Sequence, residues 1–148
     1  MTNFHLKDIR QEHEMTQSEI AYKLKVKRGT YASWECGSDI IPTAKLFAFA
    51  EMFGISTDYI LGLAPKRKIK EKHILNPEEI GKNIRKIRIK NKLSQTEFAS
   101  KININQSTLW GYENGKTLIT TATLIAIRKE FKYSIDYILN RKIKVPNA

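Results

Sequence analysis

The chain has 148 residues, one cysteine and a formal net charge of +11 at pH 7. A single cysteine excludes a disulfide framework within the chain, and no apolar run marks a signal peptide or a membrane span, so we expect a cytoplasmic protein with no membrane contact. Residues 1–64 carry a net charge of −1 and residues 65–148 a net charge of +12, which either favours polyanionic partners or only reflects a lysine-rich composition.

The chain opens with two short helical patterns. Residues 3–13 predict a first helix. Its inward residues are expected to be Phe4, Leu6 and Ile9. Thr16 and Glu19 then have the spacing of a capping box, so a second helix should begin at Gln17.

A third helix is expected over residues 28–36, after a break at residues 25–27. Tyr31 and Trp34 would turn inward, and Gly37 would end the helix as a C-cap glycine. Two short helices across a tight turn form a helix-turn-helix. Cys36, next to the helix end, is either an exposed thiol sensor or an ordinary surface residue.

Two further helices are expected to close this region. Ile40 and Ile41 should bury the loop after the third helix, and Pro42 fits the first turn of a helix that runs to Phe53. Ser56 should cap a short last helix. The residues that point into the core from these helices are expected to be Leu46, Phe49, Ala50, Phe53, Tyr59, Ile60 and Leu61, with Phe47 and Met52 either in the core or at a dimer contact.

The whole pattern then occurs a second time. Residues 94–115 superpose on residues 16–37 without a gap when the sequence is shifted by 78 positions, and about a third of positions 6–61 are identical in the two copies. A repeat of this length is a complete small domain. We therefore expect domains at residues 1–62 and 77–140, a basic linker at 63–76 and a loose basic tail at 141–148.

The second copy is expected to begin with a strongly basic helix. Asn76 and Pro77 have the pattern of a helix start, with asparagine as N-cap and proline in the first position. Ile80, Ile84 and Ile87 should face inward. The basic exterior is expected to consist of Lys82, Arg85, Lys86, Arg88 and Lys90.

Both copies resemble the lambda-repressor-like, Xre-type helix-turn-helix domain. The residues that carry the resemblance are Thr16, Gln17, Ala21, Val26, Trp34, Glu35 and Gly37 in the first copy and Ser94, Gln95, Ala99, Ile104, Tyr112, Glu113 and Gly115 in the second. The resemblance covers about four-fifths of the chain. It implies an all-α protein made of two tandem five-helix DNA-binding domains joined by a basic linker.

The resemblance also implies which residues read bases, because the third helix of such a domain enters the major groove of double-stranded DNA by its N-terminal part. The reading positions would be Arg28, Gly29 and Ser33 in the first copy and Gln106, Ser107 and Gly111 in the second. Arg28 suits guanine, whereas Gln106 suits adenine, so the copies should prefer different half-sites. Gly29 and Gly111 bring no side chain to this task.

A second set of residues would contact phosphates or position the domains. These are Gln17, Lys27, Thr30, Gln95, Asn105, Thr108, Asn114 and Lys116. Gln17 and Gln95 begin their helices, where side chain and backbone amides together bind a phosphate. For each of them, the alternative is an ordinary solvated polar residue.

Several residues depart from the family pattern. Lys25 and Asn103 stand where the family often has a turn glycine, and asparagine tolerates a positive φ better than lysine does. Lys27 replaces the usual cap of the third helix, whereas Asn105 keeps it. Trp110 occupies a groove-facing position where a small polar residue is usual, so it contacts either DNA or a protein partner.

The leading interpretation is a sequence-specific DNA-binding transcription regulator, most simply a nucleoid-associated repressor with two readers. The alternative is that one copy reads DNA and the other serves for homodimer formation or binds a regulatory protein such as a toxin or an antirepressor. No catalytic constellation, metal-ligand spacing or cofactor motif is found, so we expect no enzyme. RNA binding is a distant third interpretation, because the sequence shows no aromatic residues arranged to stack on bases.

The predicted linker is long enough to let both copies bind one DNA site. As a free chain, it would reach roughly 46–50 Å, more than the roughly 34 Å between half-sites one turn apart.

Overall fold

The computed structural model describes residues 4–141 of the chain. This part of the chain folds into ten α-helices and no extended strand, so the predicted all-α class is confirmed. It divides into two compact units, the first ending at Lys72 and the second beginning at His73. Residues 1–3 and 142–148, which include nearly all of the predicted tail, lie outside the described residues.

The first unit has the five predicted helices. They are α1 (Leu6–Glu12), α2 (Gln17–Lys23), α3 (Arg28–Cys36), α4 (Thr43–Phe53) and α5 (Thr57–Ile60). Within the described residues, the prediction of a helix over residues 3–13 was too long: His5 is the N-cap of α1 and His13 its C-cap. The backbone N–H of His5 donates to the carbonyl oxygen of Ile60 at 2.8 Å. Pro42 is the N-cap of α4 and therefore precedes its first turn.

The core of the first unit follows the predicted pattern closely. Leu6, Ile9, Tyr31, Trp34, Leu46 and Phe49 are buried, as are Ile60 and Leu61, and Phe47 is a core residue. Phe4, Phe53 and Tyr59 are half-buried, so they border the core. The prediction for Ile40 was wrong: its side chain is exposed, and Ile41 alone is buried in the loop before α4.

Part of the predicted linker is attached to the first unit. The backbone N–H of Ser56 donates to the carbonyl of Arg67 at 3.0 Å, and that of Ile69 donates to the carbonyl of Gly54 at 2.8 Å. Ile69 is buried, and Lys72 donates to the carbonyl of Glu51 at 2.9 Å. Because these contacts hold the segment up to Lys72, the free-chain reach expected for residues 63–76 does not apply.

The second unit contains the second set of five helices. They are α6 (Pro77–Lys90), α7 (Gln95–Lys101), α8 (Gln106–Glu113), α9 (Thr121–Phe131) and α10 (Ile135–Ile138). The side chain of Asn76 caps α6 by accepting from the backbone N–H of Glu78 at 3.0 Å, with Pro77 in the first position, as predicted. With 14 residues against 7, α6 is twice as long as its counterpart α1.

The predicted loose tail begins with a residue that is firmly held. The side chain of Arg141 is fully buried, and its Nη1 lies 2.7 Å from Oδ1 of Asp136, which is equally buried. The backbone N–H of Arg141 also donates to the carbonyl of Asp136 at 2.7 Å. Arg141 therefore belongs to the second domain, and the prediction of a loose residue at this position was wrong.

Candidate nucleic-acid interface

Each unit contains a helix-turn-helix with the same turn. In the first, Lys25 has a φ of 59° and the backbone N–H of Val26 donates to the carbonyl of Ala21 at 3.0 Å. In the second, Asn103 has a φ of 60° and Ile104 donates to Ala99 at 3.0 Å. Lysine therefore adopts the left-handed conformation that asparagine adopts more readily, at the position where the family often has glycine.

The third helix of each unit, α3 or α8, is called the recognition helix here, after the helix that the resemblance places in the major groove. The helix that precedes each recognition helix starts with a capping box. The hydroxyl of Thr16 accepts from the backbone N–H of Glu19 at 3.1 Å, and the carboxylate of Glu19 accepts from the backbone N–H of Thr16 at 3.1 Å. Ser94 and Glu97 repeat the arrangement at 3.1 Å and 3.0 Å. These bonds satisfy amides at the helix start, and α2 and α7 begin where the sequence predicts.

A buried ion pair connects the first helix of each unit to the recognition helix. In the first unit, Nε of Arg10 lies 2.6 Å from Oε2 of Glu35, whose side chain is 4% exposed. In the second, Nε of Arg88 lies 2.7 Å from Oε2 of Glu113, whose side chain is 2% exposed. Both pairs are bidentate, a geometry that makes arginine and carboxylate bind strongly. Arg88 thus does not belong to the predicted basic exterior.

The same ion pairs hold the glutamines that begin α2 and α7. Nε2 of Gln17 donates to Oε1 of Glu35 at 3.1 Å, and Nε2 of Gln95 donates to Oε1 of Glu113 at 3.3 Å. Arg10 also donates to the backbone carbonyl of Met15, and Arg88 donates to that of Leu93. Each of these carbonyls belongs to the residue just before the N-cap of the next helix. The angle between the two helices of the motif is therefore fixed by a network that the sequence analysis did not anticipate.

Stability of the first unit is expected to fall in acid because of Glu35. Burial alone would raise its pKa, but the hydrogen bonds from Arg10 and Gln17 outweigh burial and hold that pKa below the ordinary value of 4.5. A carboxylate whose pKa is lower in the folded state stabilises the fold at pH values above its unfolded-state pKa. This contribution is lost as pH falls through the folded-state pKa.

The measurement is hydrogen exchange of first-unit peptides at neutral pH and in steps below about pH 5. Protection should fall with acidification in the unchanged protein. Glu35→Gln should be less stable at neutral pH and less dependent on pH, whereas the exposed control Glu14→Gln should keep the full dependence. Equal pH dependence in Glu35→Gln and the unchanged protein would contradict this role of Glu35.

The first recognition helix presents most of its predicted contact residues to solvent. Lys27, Arg28, Gly29 and Thr30 are exposed. Ser33 is half-buried, and its hydroxyl donates to the carbonyl of Thr30 at 2.6 Å, so its donor is already used within the helix. Lys27 lies at the N-cap without a side-chain cap bond, as expected for a lysine there. Cys36, at the other end, is exposed with its thiol 3.3 Å from the hydroxyl of Ser38.

The second recognition helix departs from the predictions at three positions, Asn105, Thr108 and Gly111. Gln106 and Ser107 are exposed and Thr108 is half-buried. Gly111 is buried, and a Cβ there would lie 3.0 Å from the hydroxyl of Thr117, so the expectation that it faces the groove was wrong. Asn105 occupies the N-cap but makes no side-chain cap bond, contrary to its predicted role.

Gln106 is held by the network of the second unit. Its Nε2 donates to Oε1 of Gln95 at 2.7 Å, and Gln95 in turn donates to Glu113. These bonds restrict the conformations of the Gln106 side chain at the start of α8. Trp110 is 47% exposed on the same helix. Asn114 and Lys116 are exposed after it, and the side chain of Asn114 donates to the carbonyl of Trp110 at 2.9 Å.

Other kinds of site are not seen in the described part of the chain. No group of three or more His, Cys, Asp or Glu side chains within residues 4–141 is placed to hold a metal ion. None of the described helices has both the length and the apolar character needed to cross a membrane.

Comparison with known proteins decides the family. The model of the helix-turn-helix family matches residues 6–60 and again residues 84–138. The chain belongs to the helix-turn-helix family, in its Xre or lambda-repressor-like form. The two matches are the tandem copies that the sequence predicts.

Two individual proteins are similar to parts of this helix-turn-helix protein. An uncharacterized HTH-type transcriptional regulator of Bacillus subtilis (strain 168), YobD, is 32% identical over 71 residues, which are 47% of this chain and 63% of YobD. The chain thus spans less than two thirds of that relative. The crystal structure of the clp gene regulator ClgR from C. glutamicum matches 47% of this chain and 90% of ClgR at 19% identity, with a TM-score of 0.41.

Proposed function

We propose that this chain is a sequence-specific regulator of transcription that binds double-stranded DNA with both of its recognition helices. The observation that carries the proposal is the repeated network: in each unit a half-buried arginine and the buried carboxylate of a glutamate fix a glutamine at the start of one helix, beside the recognition helix. In this proposal the start of the helix before each recognition helix binds a phosphate, and the N-terminal residues of the recognition helix contact base edges.

Base reading is assigned to the exposed residues at the start of each recognition helix. Arg28 carries the bidentate fork that matches guanine, and Gln106 carries the paired donor and acceptor that match adenine. Gly29 and Ser107 lie beside them, and the half-buried Ser33 lies one turn further along α3. Gly111 is removed from the set because it is buried. The remaining predicted contacts serve phosphates and positioning, at Gln17, Lys27, Thr30, Gln95, Asn105, Thr108, Asn114 and Lys116.

The simplest mode of action is repression, in which a protein with two linked readers occludes a promoter in the bacterial nucleoid. Once one reader has bound, the covalent link raises the effective concentration of the other. Since residues 67–69 are hydrogen-bonded to the first unit, the spacing of the half-sites depends on a short connection. A narrower range of spacings is therefore expected than a free 14-residue chain would allow.

A second candidate function rests on Trp110. This large aromatic side chain is 47% exposed on the second recognition helix, next to a buried glycine where the family reads bases. Exposed tryptophan is typical of residues that dominate protein interfaces. In this alternative the first unit reads DNA and the second binds another copy of the chain or a regulatory protein.

The test is selection of bound sites from a random pool of double-stranded DNA with the full-length protein, followed by the same selection with Arg28→Ala and with Gln106→Ala. Two different half-sites within a narrow range of spacings are expected. Each variant should relax one half-site and cost about 1–3 kcal/mol in binding. The exposed α1 residues provide matched controls, Lys7→Ala for the charge and Gln11→Ala for the amide, which should leave both half-sites unchanged.

Other outcomes of this selection have distinct meanings. A single half-site, or a palindrome of one half-site, would assign the second unit to a protein contact. If no sequence is enriched, the proposal of a sequence-specific regulator is wrong, and only charge-driven binding remains.

A further inference from the structure

The outer face of α6 is a basic surface that the ion-pair network does not use. Five residues of α6 recur every three or four positions on the side opposite Ile80, Ile84 and Ile87, and all are exposed. They are Lys82, Arg85, Lys86, Ile89 and Lys90. We call this set, together with the exposed Lys92 in the following turn, the α6 face.

Most charges on this face have no ion-pair partner in the described part of the chain. Lys82 lies 3.3 Å from the carboxylate of Glu79, an exposed contact. Among residues 4–141, no carboxylate lies within ion-pair distance of Arg85, Lys86 or Lys90. A group of unneutralised cations along one helix creates a field that attracts polyanions.

The fold itself does not require these charges, as the first unit shows. The positions of α1 and its flanks that correspond to the α6 face hold Phe4, Lys7, Asp8, Gln11, Glu12 and Glu14. Helix dipole effects favour cations only in the last turn, which accounts for Lys90 but not for Lys82, Arg85 or Lys86. The basic character of α6 is therefore a property of the second unit alone.

The α6 face ends where the second helix-turn-helix begins. Lys92 lies in the turn between α6 and α7, and Nη1 of Arg88 donates to the carbonyl of Leu93 at 3.1 Å, which ties this turn to α6. Ser94 and Gln95, at the start of α7, follow directly. The basic surface is thus continuous in sequence with the helix start to which we assign a phosphate.

The length of the face suits a DNA backbone. From Lys82 to Lys90 the helix rises about 12 Å at about 1.5 Å per residue. A duplex segment of that length carries about seven phosphates at about one charge per 1.7 Å. Ile89, 54% exposed in the middle of the cations, offers an apolar contact for a deoxyribose.

We propose that the α6 face binds the phosphate backbone of the same duplex, beyond the half-site contacted by α8. This rests on the proposed function, because it places DNA at the second helix-turn-helix. The second unit then gains salt-dependent affinity from its first helix, whereas α1, the corresponding helix of the first unit, has no such face.

The test compares two triple variants of the full chain that remove the same number of charges. The first is Arg85→Gln/Lys86→Gln/Lys90→Gln. The matched control is Lys7→Gln/Lys23→Gln/Lys129→Gln, which changes exposed cations on α1, α2 and α9. Binding is measured over a range of salt concentrations on the selected site, with long flanks and with the flank beside the α8 half-site trimmed.

On long DNA, the first triple should reduce the slope of log affinity against log salt by about 2 to 3, since each lost phosphate contact removes about 0.9. The control triple should change that slope by less than about 1, and trimming the flank should abolish the difference between them. Lys86→Arg/Lys90→Arg, which keeps the charges, should keep the slope. Base preference should be unchanged in every variant.

Equal slopes for the two triples, or an effect that survives trimming, would overturn the assignment of the α6 face and leave the regulator intact. If the first triple variant also weakens association with a protein when no DNA is present, the α6 face binds an acidic protein partner. That result would also overturn its assignment to the DNA backbone. If the chain shows no base preference but the first triple still lowers the slope on random DNA, the regulator proposal fails and the α6 face stands as a backbone contact.

Discussion

Arg88→Ala is expected to destabilise the second unit by about 3–5 kcal/mol, because it leaves a buried charge without its partner. The carboxylate of Glu113 is 2% exposed and accepts two hydrogen bonds from Arg88, at 2.7 Å and 2.9 Å. Without Arg88, the side-chain donor that remains beside it is the neutral amide of Gln95, 3.3 Å away. One amide does not repay the desolvation of an ionised carboxylate.

The measurement is hydrogen exchange of peptides from each unit, read together with thermal unfolding. In Arg88→Ala, protection of backbone amides from exchange should fall in the second unit. Arg85→Ala, three positions away on the exposed face of the same helix, should change stability by no more than about 0.5 kcal/mol. The double variant Arg88→Met/Glu113→Leu should recover much of the loss, since a buried ion pair exchanges for apolar side chains at little cost.

Two results would contradict this account. A small effect of Arg88→Ala would mean that water reaches Glu113 and solvates it. A double variant as unstable as the single one would mean that packing, rather than the stranded charge, dominates. Because the network also holds Gln95 against Gln106, Arg88→Ala should weaken binding to the second half-site even under conditions where the unit stays folded.

Local signals in the sequence predicted the elements of this fold well. Thr16 with Glu19, and Asn76 with Pro77, place hydrogen-bonding groups within three residues of the amides they satisfy. Such caps depend only on nearby residues, so their geometry follows from the sequence. The left-handed turn residues, Lys25 and Asn103, were likewise expected from their position in the motif.

The features that were missed depend on residues far apart in the sequence. Arg10 and Glu35 are 25 residues apart, as are Arg88 and Glu113, and helical periodicity places Arg88 at the edge of an exposed face. One signal did exist: both residues of the pair are identical in the two copies, although most other charged positions differ. A charged pair retained in both copies of an otherwise divergent repeat indicates an ion pair.

Burial of individual residues at the site was also hard to predict. Gly111 is covered by the loop at Thr117, which follows the recognition helix, so its environment depends on how that loop folds back. Arg141 follows the last helix and carries a charge typical of a tail, yet it pairs with Asp136 inside the unit. In both cases a tertiary contact overrides what the residue type suggests.

Gly81→Ala is expected to destabilise the second unit by up to about 3 kcal/mol, because α6 crosses α8 with no room for a side chain. A Cβ at Gly81 would overlap the carbonyl oxygen of Tyr112 and lie 2.7 Å from that of Glu113. Both obstacles are backbone atoms, which cannot rotate away as a side chain could. The helices would have to separate, which would pull Glu113 away from Arg88.

The sign of this effect makes it decisive, since glycine to alanine within a helix normally stabilises by about 0.5–1 kcal/mol. Gly29→Ala is the matched control: Gly29 also lies in a helix, a Cβ there would meet no atom within 4 Å, and the variant should gain stability in the first unit. Hydrogen exchange on both units and binding to each half-site measure the two variants together. If Gly81→Ala is neutral or stabilising, the close crossing of α6 and α8 is wrong, and with it the account of how the first helix of this unit fixes its recognition helix.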